Sequence, residues 1–429
     1  MGLNPGNVAS LPGRPAETRH GATRSVPELT AGAGGALLRG YPPACPGSAV
    51  DVAPKEGVPQ DADALTIDTR FSQVVDGFEL TVADLEAVRL ILRGNSVIDW
   101  NRAVFPDLAS VDAFLRLLWI DPDDPEDRRR MKYVHRSAIT YLEEHLGLRF
   151  PEDLKQPDDV REIFLLASQT GGFRRRQILA CAILKLMHTI VHMEAAELRH
   201  QTALSEADLL GLAERHISEA AQHMRDQGFP IVSFYGNRKS RESTITKLLA
   251  KREATAAMVF DKLRFRIVTE KREHIVPALA WLTRHVFPFN YVIPGQSHNN
   301  LVDIHAEWSR PPYKELADQL HGFTAEEHQP FNPDDNPFSG SSYRVVNFIV
   351  DYPVRIDHLG HARYGAMLGR IVFVQTEFQL VDAQTAIANE SGENAHERYK
   401  ERQRAMVASR LRKGGRYKRR RGGKRHGDG

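Results

Sequence analysis

Two acidic residues, Asp261 and Glu377, stand on segments whose alternating apolar pattern predicts β-strands. If these strands are neighbours, the carboxylates form a pair suited to binding a metal ion or to deprotonating a hydroxyl group. Asp261 and Glu377 are therefore candidate catalytic residues and candidate metal ligands. Mg²⁺ is the expected ion, because carboxylate oxygens hold it beside polyphosphates.

A basic segment precedes the strand of Asp261. Asn237 is a plausible helix N-cap, and Lys239, Ser243 and Lys247 follow at intervals of four residues, which places them on one helical face. The start of a helix attracts phosphate, so this face is expected to bind the phosphates of a nucleotide. A surface helix followed by an ordinary core strand would show the same pattern, and both interpretations stay open.

A second group of possible ligands lies in the helix predicted for residues 173–200. His188 and His192 are four residues apart, the spacing with which one helix offers two imidazoles to a metal. The HExxH pattern is absent, and Glu197 and His200 lie well round the helix. The pattern therefore favours histidines at the edge of a core helix.

Length and composition are those of a soluble globular protein with two or three domains: 429 residues, 41% hydrophobic and 26% charged. Its two cysteines, Cys45 and Cys181, support neither a disulfide framework nor a cysteine-based zinc site, so a reducing, cytoplasmic setting is expected. The first twenty residues lack the apolar stretch of a secretory signal. Ile178–Met193 is too short for a bilayer, and no membrane span is predicted.

Positive charge is concentrated at the end of the sequence. Arg410–Gly429 holds ten Lys/Arg and one Asp, or +9, so the other 409 residues sum to 2 − 9 = −7. Such a segment cannot bury a core and predicts a disordered arm that contacts polyanions, with RNA the expected partner. A solubilising tail with only non-specific attraction is the alternative.

The predicted fold class is α+β, with an N-terminal all-helical domain followed by a mixed-sheet domain. Residues 1–65 are expected to be disordered, 66–228 helical, 229–403 mixed, and 404–429 a basic disordered tail. Residues 297–340 look like an insertion or lid with one short helix near 313–320. Helices are predicted at 81–93, 110–119, 126–145, 158–167, 173–200, 205–225, 273–285 and 383–411, and strands at 231–234, 259–268, 289–293, 343–350 and 370–381.

Polar residues share one face of the strand predicted for 370–381, where Gln375, Glu377 and Gln379 alternate with apolar residues. Such a face usually meets water, but here it would lie beside Asp261. Tyr343 follows a Gly-Ser loop and could stack on a nucleotide base. An ordinary aromatic residue at the start of a strand is equally compatible with the sequence.

In this order, the motifs resemble those of the synthetase domain of RelA/SpoT-type alarmone synthetases over about residues 230–402. The matching segments are GNRKSRESTITK (236–247), FDKLRFRIV (260–268), SSYRVVN (341–347), Glu377-Phe378-Gln379, and ESGENAHERYKE (390–401). Each motif is weak by itself, and the shared order and spacing carry the resemblance.

The resemblance implies a nucleotidyltransferase-like fold and transfer of the β,γ-pyrophosphate of ATP to the 3′-hydroxyl of a guanosine nucleotide or of an RNA. It implies that Lys239, Ser243 and Lys247 hold phosphates, that Asp261 holds Mg²⁺, and that Glu377 acts on the metal or the acceptor hydroxyl. Tyr343 would stack on the acceptor base. The remaining nucleotide-binding candidates are Arg238, Arg266, Arg344, Gln379 and His396.

The sequence departs from the family pattern at several places. Asn237 stands where the family has Arg, with Arg238 adjacent; Val381 replaces the Arg after E-x-Q, and Asn347 replaces a His. Each charged phosphate contact contributes about 1.5 to 3 kcal/mol, so the substrate stays open, as does a catalytically inactive nucleotide- or RNA-binding protein. The helical region lacks the His-Asp metal pattern of the family's hydrolase domain, and alarmone hydrolysis is not predicted.

Overall fold

Most of the helices lie where the periodicity of apolar residues predicts them. The computed structural model describes residues 72–75, 77–93, 100, 103–168, 174–202, 204–250, 262–320, 343–356, 368–390, 401, 403–409 and 411–412. The helices with defined bounds are α1 (Val82–Arg93), α2 (Leu108–Leu117), α3 (Pro125–Leu146), α4 (Glu152–Lys155), α5 (Arg161–Ser168), α6 (Arg174–Gln201), α7 (Glu206–Asp226), α8 (Arg241–Ala250), α9 (Ile275–His285), α10 (Ile304–Trp308), α11 (Pro311–Asp318) and α12 (Ala383–Glu390). Residues 403–409 are also helical, so the disordered tail predicted to begin at 404 is wrong for its first residues.

Local capping explains these boundaries. At the start of α2, the Asp107 side chain accepts a hydrogen bond from the Ser110 backbone N–H. At the start of α7, the Ser205 side chain accepts a hydrogen bond from the Asp208 backbone N–H. Helix α3 ends at Gly147, whose φ of 64° is left-handed and suits a residue without a side chain. Caps of this kind are readable from the sequence.

The region 66–228 is not entirely helical. β1 (Ser72–Val75) and β2 (Phe78–Thr81) form an antiparallel hairpin, and Gly77 in its turn has a φ of 86°. The Asp76-Gly77 dipeptide between two short alternating runs is a hairpin signal that the helical prediction passed over.

A five-stranded mixed sheet is formed by β3 (Ile231–Arg238), β4 (Leu263–Thr269), β5 (His298–Asn299), β6 (Val346–Arg355) and β7 (Ile371–Asp382). The strand order in this described part is β3-β4-β7-β6-β5, and only the β4–β7 pair is parallel. The strand predicted at 289–293 is wrong. Phe289–Tyr291 is a 3₁₀ turn, and Val292 makes a single bridge to Val350, because Pro288 and Pro294 leave no room for a ladder.

One face of the sheet carries a row of phenylalanines that runs across four strands. Phe265 of β4 lies between Phe234 and Phe378, with ring centroids 6.0 and 5.8 Å away, and Phe348 stacks on Phe378 at 5.6 Å. Phe287, just after α9, packs on Phe378 at 4.9 Å. The burial of these rings fixes which side of each strand faces the core.

Helices and sheet share one apolar core within the compact unit Asp61–Gly429. Division of this unit into domains at 228/229 stays a prediction. Within α6, Arg175–Gln201 is long and apolar enough to cross a membrane by length and composition alone. The helix packs against α3, α5 and β7, and 39% of its apolar window is buried inside the structure.

The described part of the predicted insertion, residues 297–320, is packed into this unit. β5 pairs with β6 at the edge of the sheet, and α10 and α11 follow it. Tyr313 and Leu316 of α11 are fully buried. This segment therefore contributes to the core; the rest of 297–340 lies outside the described residues.

Candidate nucleotide site

Polar side chains gather on the face of the sheet opposite the phenylalanines. Strand register pairs Arg264 with Glu377 and Arg266 with Gln379 across β4 and β7, and Asn347 of β6 with Gln379. Directly paired residues point to the same side of a sheet, so these five residues share one face, named here the polar face.

Glu377 is the centre of the polar face. Its Oε2 accepts a hydrogen bond from Arg264 Nε at 2.9 Å, and its Oε1 accepts from Asn347 Nδ2 at 2.8 Å and from Gln379 Nε2 at 3.0 Å. The Glu377 side chain is 7% exposed, whereas that of Arg264 is 35% exposed. A carboxylate has about four lone-pair sites, so roughly one remains for a further donor.

Tyr343 and Arg266 complete this group. Burial raises the pKa of the Tyr343 hydroxyl, while the charges of Arg266 and Arg264 lower it and Glu377 raises it. The Tyr343 side chain is partly buried and packs against the apolar core. Arg266 Nη1 also lies 3.6 Å from the exposed Glu390 of α12, a contact worth little in water.

The basic helix begins later than predicted. Asn237 is not its N-cap but a residue of β3, because the β3–β4 ladder continues through Arg238. Ser240 takes the capping position: its carbonyl accepts from the Thr244 N–H at 3.0 Å, and its Oγ accepts from the Ser243 N–H at 3.2 Å. Helix α8 therefore starts at the end of β3, beside the start of β4.

The three predicted phosphate-binding residues are consequently split between two elements. Lys239 precedes α8, and its backbone N–H donates to the Lys262 carbonyl at 2.9 Å. Ser243 and Lys247 remain one turn apart on α8. Lys239 therefore lies opposite Lys262, which is two residues before Arg264 in the sequence.

Arg238 is placed away from the polar face. It pairs with Leu263, whose side chain belongs to the apolar side, and its guanidinium binds Glu214 of α7 at 2.6 Å. Consecutive strand residues point to opposite faces, so Arg238 does not substitute for an arginine at position 237. The Arg344 guanidinium donates from Nη1 to the Tyr343 carbonyl at 3.1 Å. The Arg344 backbone N–H donates to Asn389 Oδ1, and its carbonyl accepts from Asn389 Nδ2.

Asp261 and His396 lie outside the described residues, so the pairing of Asp261 with Glu377 stays a prediction. Among the described residues, no three His, Cys, Asp or Glu side chains form a group that could hold a metal. Glu377 already accepts three hydrogen bonds and lies against a guanidinium, which opposes a second cation there.

Arg264 and Asn347 are members of the site that sequence reasoning missed. The alternation of 259–268 placed Arg264 on the face of Arg266, but nothing in the sequence paired it with Glu377. Asn347 counted only as a departure from the family pattern. In the structure it donates to Glu377, so this amide supports the carboxylate rather than contacting a substrate through that nitrogen.

The arrangement can bind an anion next to a planar group. The guanidinium groups of Arg264 and Arg266, alternate residues on one face of β4, attract phosphate. The hydrogen bond to Glu377 orients the Arg264 side chain. Tyr343, with Tyr235 half-exposed on β3 opposite Arg266, offers aromatic faces for a base. Such a surface suits a nucleotide polyphosphate.

Neither a comparison with protein-family models nor one with curated proteins gives a match for this sequence. The structure is similar to solved structures over 50% of the chain. They are small alarmone synthetase 1 from Bacillus subtilis (12% identity, 92% of that chain, TM-score 0.26), a GTP pyrophosphokinase family protein from Streptococcus pneumoniae (12%, 87%, 0.25), and small alarmone synthetase 2 from Bacillus subtilis (15%, 94%, 0.24).

Proposed function

We propose that the protein is a divergent RelA/SpoT-like pyrophosphokinase. It would transfer pyrophosphate from ATP to the 3′-hydroxyl of a guanosine nucleotide or of an RNA end. The observation that carries the proposal is the buried Glu377 carboxylate, bonded to Arg264, with Arg266 on the same face of the sheet.

The roles follow from charge and position. Arg264 and Arg266 meet the negative charge of the triphosphate, and the residues at the start of α8 extend this cationic surface. Tyr343 stacks on a base. Glu377 holds Arg264 in orientation and, with its remaining lone-pair site, accepts the proton of the acceptor hydroxyl. The hydroxyl oxygen bonds to the β-phosphorus, the bond from that phosphorus to the α,β-bridging oxygen breaks, and AMP leaves.

Mg²⁺ enters this proposal as part of the substrate. A described carboxylate cluster that would hold the ion is lacking, so we expect it to arrive bound to the ATP phosphates. Asp261 is the remaining candidate protein ligand.

The test uses ATP labelled at the γ-phosphate, Mg²⁺, and GDP, GTP or tRNA as acceptor. We expect label on one acceptor, and a loss on the order of 10² to 10⁴-fold in Glu377→Gln, whose side chain keeps its shape but loses its charge. Gln375→Asn, on the same strand and face, is the matched control and should stay within about twofold. Absence of transfer to every acceptor would refute the enzyme.

A catalytically inactive nucleotide- or RNA-binding protein is the second candidate. The observation that favours it is the occupation of Glu377 by three donors, which leaves the carboxylate little capacity for chemistry. In this case wild-type protein binds ATP or RNA without transferring label, and Arg266→Gln weakens binding about tenfold. Equilibrium binding measured beside the transfer assay separates the two candidates.

A further inference from the structure

A row of side chains crosses the polar face from one edge of the described sheet to the other. Each of the five strands contributes one residue, and strand register pairs neighbours in the order Tyr235, Arg266, Gln379, Asn347 and His298. Directly paired residues share a face, and neighbouring strands lie about 4.8 Å apart. Tyr235 therefore lies on β3 about 10 Å from β7, the strand at the centre of the candidate site.

Tyr235 is the only exposed aromatic residue on the described strands, with a relative exposure of 48%. Its two neighbours in the chain explain why the ring faces outward. Phe234 is buried in the phenylalanine row, and a Cβ on Gly236 would lie 2.8 Å from Cε1 of Phe265. Both neighbours thus face the core, and alternation along the strand places the Tyr235 ring on the polar face.

The groups that attract phosphate lie ahead of this ring along β3. Arg266 is directly opposite Tyr235, and Arg264 is opposite Asn237, two residues further along the strand. The chain then reaches Lys239 and the start of α8. Four residues of strand span about 13 Å, a length comparable to that of an extended nucleoside triphosphate. A nucleotide with its base on Tyr235 therefore has its phosphates over Arg264.

Charge alone gives this face little affinity for a nucleotide. Arg264 donates to Glu377, and Arg266 Nη1 lies 3.6 Å from Glu390. Each guanidinium thus has a carboxylate neighbour that offsets part of its attraction for phosphate. A contact with the base has to supply part of the affinity, and an exposed aromatic ring supplies it by stacking.

We propose that Tyr235 is the residue on which the base of the donor nucleotide stacks. This inference rests on the function proposed for the polar face and assigns the β3 edge of that face to the donor. The phosphates then run from Arg266 towards Arg264, beside Glu377, where the β-phosphorus has to lie for the transfer. Stacking on one ring does not distinguish adenine from guanine, since every base has a π-face.

The test compares two ligands that share a phosphate chain and differ in the base. The full-length protein is titrated with ATP and with inorganic tripolyphosphate, both with Mg²⁺, in a calorimeter. Loss of a stacking side chain weakens base binding by roughly 5 to 150-fold. We expect Tyr235→Ala to weaken ATP at least fivefold and to leave tripolyphosphate within twofold.

Three further variants separate stacking from other effects. Tyr235→Phe keeps the ring and should stay within twofold for both ligands. Arg266→Gln should weaken ATP and tripolyphosphate alike, at least fivefold. Val232→Ala, on the same strand and 61% exposed, is the matched control and should stay within twofold. Circular dichroism and cooperative thermal unfolding establish that each variant is folded.

Unchanged ATP binding in Tyr235→Ala overturns the inference, and so does an equal loss for both ligands or an equal loss in Tyr235→Phe. Absence of ATP binding by the wild-type protein also overturns it. The transfer assay is read separately. Transfer without dependence of ATP binding on Tyr235 overturns only this inference, whereas Tyr235-dependent binding without transfer supports the stacking contact and overturns the pyrophosphokinase.

Discussion

Arg264 of β4 donates a hydrogen bond from Nε to Oε2 of Glu377 on β7, at 2.9 Å, across the one parallel strand pair of the described sheet. The two residues are 113 positions apart in sequence. A charged side-chain contact therefore reinforces the backbone ladder at the centre of the candidate site. Removing either residue removes this contact.

The Arg264–Glu377 pair should be energetically coupled. We expect Arg264→Gln and Glu377→Gln each to lower the free energy of unfolding by about 1 to 3 kcal/mol, less than for a fully buried pair because Arg264 is partly exposed. The double variant should lose less than the sum, with a coupling energy of about 1 kcal/mol. Urea denaturation at neutral pH measures this, and additive losses would contradict it.

Gly236 should not tolerate a side chain, although its φ is not in the left-handed region. A Cβ at this position would lie 2.8 Å from Cε1 of Phe265 in the phenylalanine row. We expect Gly236→Ala to lower the free energy of unfolding by about 1 to 3 kcal/mol through overpacking. Introduced together with Phe265→Leu, which removes the clashing ring edge, the same change should cost less than about 0.5 kcal/mol beyond Phe265→Leu alone.

Asp127 connects the helices to the sheet. Its Oδ2 accepts from the Asp121 backbone N–H at 2.8 Å and from Arg355 Nη1 of β6 at 2.6 Å, and its side chain is 10% exposed. Asp127→Asn should lower the free energy of unfolding by about 2 to 4 kcal/mol, because Arg355 loses a nearly buried anion.

The control for Asp127 is Asp123→Asn. Asp123 pairs with Arg116 at 3.1 Å, but its side chain is 77% exposed, so the change should stay within about 0.5 kcal/mol. Similar losses at both positions in thermal or urea unfolding would show that burial does not decide the effect.

Acid should destabilise the protein through His188. Burial, with a smaller effect from the neighbouring His192, lowers the pKa of His188 to about 3. The unfolded chain takes up this proton near pH 6.5 and the folded chain does not, so the free energy of unfolding falls as pH drops from about 6.5 towards 3. The slope from this group approaches about 1.4 kcal/mol per pH unit.

His188→Phe should remove that contribution. Between pH 7.5 and 5.5, wild-type protein should lose about 1 kcal/mol more than the variant in urea unfolding. His135 and His285, whose pKa values burial also lowers, contribute equally to both proteins and cancel in the difference. Parallel pH profiles would contradict the assignment to His188.

The basic end of the sequence should govern binding to RNA. Deleting residues 410–429 removes a net charge of +9, from ten Lys/Arg and one Asp. We expect affinity for single-stranded RNA to fall, and the slope of log K against log salt to shrink by about 0.7 for each phosphate that the arm no longer neutralises. Filter binding at several salt concentrations measures the slope. An unchanged slope would show that the arm does not bind RNA.

The helices and the polar side of β7 could be read from the sequence because their signals are local. Apolar residues recur every three to four positions, Ser205 and Gly147 mark helix ends, and Glu377 alternates with buried neighbours on one strand. The basic segment before β4 and the charge of the tail are likewise properties of contiguous residues.

Which side chains meet Glu377 was decided by the tertiary structure. Pairing β4 with β7 brings in Arg264, pairing β6 with β7 brings in Asn347, and extension of β3 through Arg238 sends that arginine to Glu214 on the other face. Strand neighbours and register depend on residues 30 to 113 positions apart, and a shift of one residue reverses every side chain. Local periodicity gives the face of a strand, whereas only the packed sheet determines its partners.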